Sequence, residues 1–225
     1  PTGSTFPWTL AGAGRRAMER ALAATFGTPG DPAYRYDGRT DRQIVREQMR
    51  AAGYSGAEID AAMPAVIQRY LDGLREELRR EPDGVRLYEG IAPLIDALDA
   101  RDDAVLGLLT GNVHPGACLK LEAVGLDMAR FVVNAFGSDH EARAELPAIA
   151  HRRMEETFGV ALAGRDVVII GDTPADVTCG RALGARAIAV ATGRYSIGEL
   201  RAHEPFAVFP TLVDTDAVLQ AIADA

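Results

Sequence analysis

The chain has 225 residues, 48% of them apolar and 25% charged, and a formal charge of −8 at neutral pH. That length suits one large α/β domain, or a core domain carrying a smaller insertion. The sequence pI near 5.1 argues against a nucleic-acid or anionic-membrane partner, though a local field in a cleft can still hold a small phosphorylated molecule.

No apolar run approaches the roughly 18 residues that a membrane span needs, and no basic-then-apolar leader opens the chain, so a cytoplasmic protein is expected. Cys118 and Cys179 fit no zinc or redox spacing, and reduced thiols are the expected state.

In chain order, Pro1 to Leu10 reads as irregular, with two prolines and a glycine. A helix follows from Gly12, with Ala17, Ala21, Leu22 and Phe26 on one face, and Gly27-Thr28-Pro29-Gly30 ends it. Thr40 is placed to cap a second helix, with Gln43 three residues on, and Gly53 ends that helix. Ser55 and Glu58 open a third helical stretch that runs to Arg80, with a kink or boundary expected at Pro64. Residues 12–83 thus read as an all-helical domain. Residues 1–11 and 84–225 are assigned to an α/β core.

After Pro82-Asp83-Gly84 the pattern alternates. A helix spans 91–98, and the apolar run Ala104 to Leu109 reads as a buried strand ending in Thr110-Gly111-Asn112. A helix over 114–124, a strand over 131–135 and a helix over 146–158 come next. The strand Val167 to Ile170 then ends in Gly171-Asp172-Thr173, followed by a helix over 175–183 and a strand over 187–190. A short helix, a short strand over 207–209 and a closing helix over 214–223 complete the chain. Strands and helices in this rhythm imply a parallel, Rossmann-like sheet whose ligands bind at the carboxyl ends of the strands, where Thr110, Asp139, Asp172 and Thr192 fall.

Asp172 sits at a strand tip and Asp176 four residues on, at a helix start. Two carboxylates so placed suit Mg²⁺, which takes one or two carboxylates with waters and phosphate oxygens. The competing reading is that one of them caps the helix. Thr110, Gly111 and Asn112 offer a hydroxyl, an amide and backbone N–H groups to a phosphate, or simply form a strand-to-helix turn. The four histidines have no metal-binding spacing, so zinc is not expected. His114 either touches a ligand or only starts a helix. Tyr36 and Arg39 either select a leaving group or lie in a solvated loop.

These features in this order resemble the haloacid dehalogenase (HAD) superfamily. Thr110 matches its second motif and Asp172 with Asp176 its fourth. The helical block resembles the C1 cap of phosphoglycolate-phosphatase-like members, as do Gly38-Arg39-Thr40-Asp41 and Tyr88-Glu89-Gly90. The resemblance implies a Mg²⁺-dependent phosphomonoester hydrolase acting on a small phosphorylated metabolite, with Thr110 and Arg143 as catalytic residues and Gly111 and Asn112 on the substrate. Asp172 and Asp176 would hold the metal. The acidic pair favours a phosphatase over a dehalogenase.

Two stretches depart from the family. Its third motif carries a lysine, whereas here Arg143, in Asp139 to Pro147, is the nearest cation; the alternative is a solvated arginine beside Glu145. Its first motif ends a strand in DxDGT, whose first aspartate attacks phosphorus. No Asp or Glu precedes Glu19, and an alignment on Thr5-Phe6 puts Pro1 and Gly3 at the two aspartate positions. A central strand is expected to be missing with it. Three readings follow: the first motif lies upstream of the residues given, the protein is an inactive relative that binds a ligand or partner, or another carboxylate serves.

Overall fold

The structure is a computed structural model that describes residues 8–9, 12–80 and 86–225. Three helices come first: α1 (Ala13–Phe26), α2 (Asp41–Ala51) and α3 (Gly56–Arg80). Gly27 ends α1 at φ 77°, a left-handed conformation that glycine adopts without steric cost. The Thr40 hydroxyl accepts from Gln43 N and so starts α2 where the sequence places its cap. Gln43 turns its side chain to Glu47 and does not complete the box. Ser55 and Glu58 form the full reciprocal box that opens α3.

Helix α3 continues through Pro64, so of the kink or boundary expected there the boundary does not occur. The apolar face on both sides of Pro64, from Ile59 and Met63 to Val66, Tyr70 and Leu74, is buried. That packing offsets the hydrogen bond the proline removes. Buried Glu77 of α3 takes Arg16 at 2.5 Å and Arg20 at 2.6 Å, tying α3 to α1.

The remaining elements alternate. They are α4 (Ile91–Asp99), β3 (Gly107–Thr110), α5 (His114–Ala123), β4 (Val133–Phe136) and α6 (Leu146–Phe158). Then come β5 (Val168–Gly171), α7 (Pro174–Cys179), β6 (Arg186–Val190), α8 (Ile197–Arg201), β7 (Ala207–Phe209) and α9 (Thr215–Ala223). Helix α7 stops at Gly180, and a 3-10 turn over Arg181–Leu183 continues the stretch read as one helix. A two-residue strand β1 (Trp8–Thr9), in the segment read as irregular, pairs antiparallel with β2 (Arg86–Leu87). The positions of Pro1 and Gly3, and the 82–84 turn with the boundary at 83, lie outside the described residues.

Pairing is parallel throughout the alternating part, as expected, but it forms two ladders: β3 with β4, and β5 with β6 and β7. Among the described residues no strand joins β3 to β5. A continuous apolar strand is normally buried on both faces. In β5, Val168, Ile169 and Ile170 are only half-buried, as befits a strand with one unpaired edge.

One apolar core runs from the helical block (Leu22, Met49, Tyr70) into the α/β part (Leu108, Ala117, Phe136, Leu212). A smaller cluster of Val177, Ala187, Ala189 and Leu200 packs beside β6. Cys118 and Cys179 are both free thiols. No helix among the described residues is long and apolar enough to cross a membrane.

Candidate active site at the strand ends

Strand β5 delivers Asp172 and Thr173, and α7 starts directly after them. The Thr173 hydroxyl accepts from Asp176 N, while Asp176 Oδ2 accepts from Thr173 N at 3.0 Å and Thr173 Oγ1 at 2.7 Å. Asp176 Oδ1 takes Arg143 Nη2 at 2.5 Å in an ion pair with both side chains 5% exposed. Both oxygens of Asp176 are therefore committed within the protein, one of them to the helix cap that the sequence left as an alternative.

Asp172 is in the opposite condition. It is 7% exposed, and its Oδ1 is buried with no hydrogen-bond partner. Burial, then the neighbouring Asp176 charge, raise its carboxyl well above the usual range, and Asp37 adds to the rise while Arg143 opposes it. Arg143 keeps two buried donors, Nε and Nη1, without partners. Buried polar atoms are paired in the large majority of cases, so three such atoms on two neighbouring side chains mark a place that a ligand completes. Among the described residues no group of three or more His, Cys, Asp or Glu side chains is set to hold a metal. A cation here would rest on one carboxylate, with waters and ligand oxygens filling its shell.

Strand β3 ends at Thr110, fully buried. Its Oγ1 accepts from Asn112 N at 3.1 Å and Asn112 Nδ2 at 2.7 Å. Asn112 Oδ1 accepts from Lys120 Nζ. Asp41 and Lys120 lie buried behind this turn. Asp41 Oδ2 accepts from Val113 N at 2.8 Å, the Tyr70 hydroxyl bonds to the same carboxyl, and Lys120 supplies the facing positive charge.

The loop from Tyr36 to Asp41 links the strand ends. Gly38 has φ 71°, and a Cβ there would stand 2.6 Å from the Ala175 Cβ, against the start of α7. Asp41 N donates to Gly111 O at 2.8 Å, and a Cβ on Gly111 would stand 2.2 Å from Arg39 O. Thr40 Oγ1 donates to Glu141 O at 2.7 Å, on the segment leading to Arg143. The loop thus touches the Thr110 turn, the Arg143 segment and the Asp172 turn together, and it carries Asp37, whose side chain is 5% exposed.

Of the residues picked from the sequence, Arg143 and Asp176 meet directly, and Asp172 lies within electrostatic reach of both. Thr110, Gly111 and Asn112 form one turn, joined to the others through the loop. Asp139 stands at the end of β4, as expected, where its Oδ2 accepts from Phe136 N at 2.9 Å and pairs with Arg153 at 2.7 Å. His114 stands at the start of α5, its ring 4.6 Å from Phe136, and Arg39 is exposed, 3.6 Å from Glu47. Asp37 and Asp41 read from the sequence only as poor substitutes for the missing nucleophile, and Lys120 escapes it altogether. Lys120 had a signal: it shares the buried stripe of α5 with Gly116, Ala117 and Leu121, where a lysine is out of place.

Comparison with known proteins bears on the fold. Residues 143–215 match the HAD-hydrolase-like family model. No curated protein matches the chain. Solved structures match over nearly the whole length. A hydrolase from Pseudomonas syringae is 18% identical, with TM-score 0.68, covering 92% of this chain and 90% of its own. A predicted phosphoglycolate phosphatase from Haemophilus somnus is 17% identical with TM-score 0.68, covering 96% and 95%. CbbY from Rhodobacter sphaeroides, solved in complex with phosphate, is 18% identical with TM-score 0.64, covering 94% and 92%. This chain therefore has the fold of the haloacid dehalogenase-like hydrolases, and its residues 143–215 carry that family's sequence pattern.

Proposed function

We propose that the protein is a HAD-type phosphohydrolase that takes the phosphoryl group of a small phosphorylated metabolite together with Mg²⁺. The observation that carries this reading is the trio of unpartnered buried atoms, Asp172 Oδ1 with Arg143 Nε and Nη1. One carboxylate oxygen calls for a cation and two guanidinium donors call for an anion. A Mg²⁺-bound phosphate ester supplies both. The cation would sit on Asp172 Oδ1, neutralise phosphate charge and polarise the phosphorus–oxygen bonds.

The side chains divide the remaining tasks. Arg143 holds phosphate oxygens with its free donors, and Asp176 holds Arg143 in position. The Thr110 hydroxyl, the Gly111 N–H and the second proton of Asn112 Nδ2 bind further oxygens, stabilising charge as it shifts in the transition state. The helical block 12–83 acts as a cap. Since Thr110, Arg143 and Asp172 are all buried, the loop from Tyr36 to Asp41 must part from the strand ends to admit a ligand and close again to exclude water.

Turnover through an aspartyl-phosphate also needs a carboxylate in line with phosphorus. Among the described residues the acidic groups at this site are Asp172, Asp176, Asp37 and Asp41, and Asp176 and Asp41 already face buried cations of the protein, Arg143 and Lys120. That observation favours a second reading, a HAD-fold protein that binds the same ligand without turning it over. Hydrolysis of p-nitrophenyl phosphate separates the two. Mg²⁺-dependent release of p-nitrophenol that is lost in Arg143→Ala and Asp172→Asn supports the hydrolase. No release by a folded protein that still binds phosphate supports the binding module.

A further inference from the structure

Directionality is fixed in the chain of hydrogen bonds behind the Thr110 turn. A lysine ammonium has donors and no acceptor. The Asn112 atom facing Lys120 Nζ is therefore its carbonyl oxygen, which leaves the Asn112 NH₂ facing Thr110. Thr110 Oγ1 then accepts twice, from Asn112 Nδ2 and from Asn112 N, and both of its lone pairs are occupied. Its own proton is unspent: among the described residues Thr110 donates to nothing, although it is fully buried. A buried hydroxyl proton without an acceptor is uncommon and costly.

We infer that Lys120 is a positioning residue, which polarises the relay Lys120 to Asn112 to Thr110 so that the Thr110 hydroxyl is held as an obligate donor toward an anion. The inference rests on the phosphate-binding reading above. Burial works against an ammonium in this interior, and Asp41, from the loop that spans the strand ends, opposes that effect with its own charge and grips the same turn through Val113 N. Without a donor at position 120, the Asn112 amide is free to turn over. Thr110 then spends its proton on Asn112 Oδ1 and presents a lone pair to the incoming oxyanion, exchanging attraction for repulsion.

The test uses the full chain, inorganic phosphate with Mg²⁺ as the probe, and two charge-neutral variants, so that no buried charge is left alone. Asp41→Asn/Lys120→Gln keeps a donor at position 120, and Asp41→Asn/Lys120→Met removes it. By calorimetry the Gln variant should bind phosphate within about threefold of the unsubstituted protein, and the Met variant about tenfold more weakly, the loss of one hydrogen bond to a charged group. Adding Thr110→Val to the Met variant should weaken binding no further, because the two changes remove one interaction. Equal affinity in the Gln and Met variants overturns the inference while leaving the site intact.

A second readout does not involve phosphate. The Asn112 side-chain NH₂ resonances should be shifted and exchange faster with solvent in the Met variant than in the Gln variant. Resonances identical in the two variants overturn the relay. Failure of the unsubstituted protein to bind phosphate, with the resonances behaving as expected, instead overturns the site reading and the anion as the relay's target.

Discussion

Arg143 and Asp176, 33 positions apart, meet as a buried ion pair at 2.5 Å, and the pairing spends only one of the arginine's nitrogens. The helix cap orients Asp176, Asp176 orients Arg143, and Nε and Nη1 have no partner among the described residues. The consequences reach stability as well as binding.

Arg143→Ala leaves a buried Asp176 oxygen uncompensated, and removing one partner of a buried pair costs about 3–5 kcal/mol. Arg143→Lys restores a charge for Asp176 without the planar fork. Chemical denaturation should place the lysine variant within about 2 kcal/mol of the unsubstituted protein. Phosphate affinity should nonetheless fall about tenfold, because a point charge replaces two aimed donors.

Asp172 should show the reverse balance. A buried carboxylate oxygen with no partner destabilises the ligand-free protein. Asp172→Asn should therefore raise stability by about 1–2 kcal/mol, or about 3–6 °C in a melting scan for a chain of this size. The same substitution should remove any stabilisation by added Mg²⁺. A variant that melts lower than the unsubstituted protein without metal contradicts the assignment of Asp172 as an unsatisfied ligand.

Gly111 sets how closely the loop approaches the Thr110 turn. A Cβ there would stand 2.2 Å from Arg39 O, a backbone atom that cannot swing aside. Gly111→Ala should cost about 2–4 kcal/mol and lower the melting point by about 5–10 °C. Hydrogen exchange should rise at Asp41 N, which donates to Gly111 O.

Acid stability should depend on Glu77. Burial pulls its carboxyl up, but hydrogen bonds from Arg16 and Arg20 outweigh this and hold it below the ordinary 4.5. A carboxyl lowered on folding contributes stability above its unfolded value and loses it as pH falls through the folded value. Glu77→Gln should cost about 1–2 kcal/mol at neutral pH, the half-exposed arginines limiting the effect. The gap between the two proteins should close as the pH is taken below about 4 in urea titrations.

Much of this architecture is legible in the amino-acid order because its causes are local. The apolar runs ending at Thr110 and Asp172 become β3 and β5, and Thr40 and Ser55 open α2 and α3 through their own hydroxyls. Arg143 reads as the nearest cation in its segment, and the structure buries it against Asp176 where the alternative was a solvated arginine; the parallel pairing follows from the alternation of elements. Legibility ends where tertiary contacts decide. Pro64 reads as a kink or a boundary, and packing on both sides carries α3 through it. Asp176 reads as a metal ligand in preference to a helix cap, and only the fold shows that it caps α7 through one oxygen and holds Arg143 with the other. Asp37 and Asp41 sit in what reads as a solvated loop and a helix start, because nothing local reports that this loop closes over three strand ends.

The central claim is that Asp172 and Arg143 together await a cation and a phosphate. Calorimetric titration of inorganic phosphate, with and without Mg²⁺, tests it most directly. Mg²⁺ should tighten phosphate binding at least about tenfold, a coupling near 1.4 kcal/mol, and Asp172→Asn should abolish that coupling. Phosphate affinity that ignores both Mg²⁺ and the Asp172→Asn substitution contradicts the account.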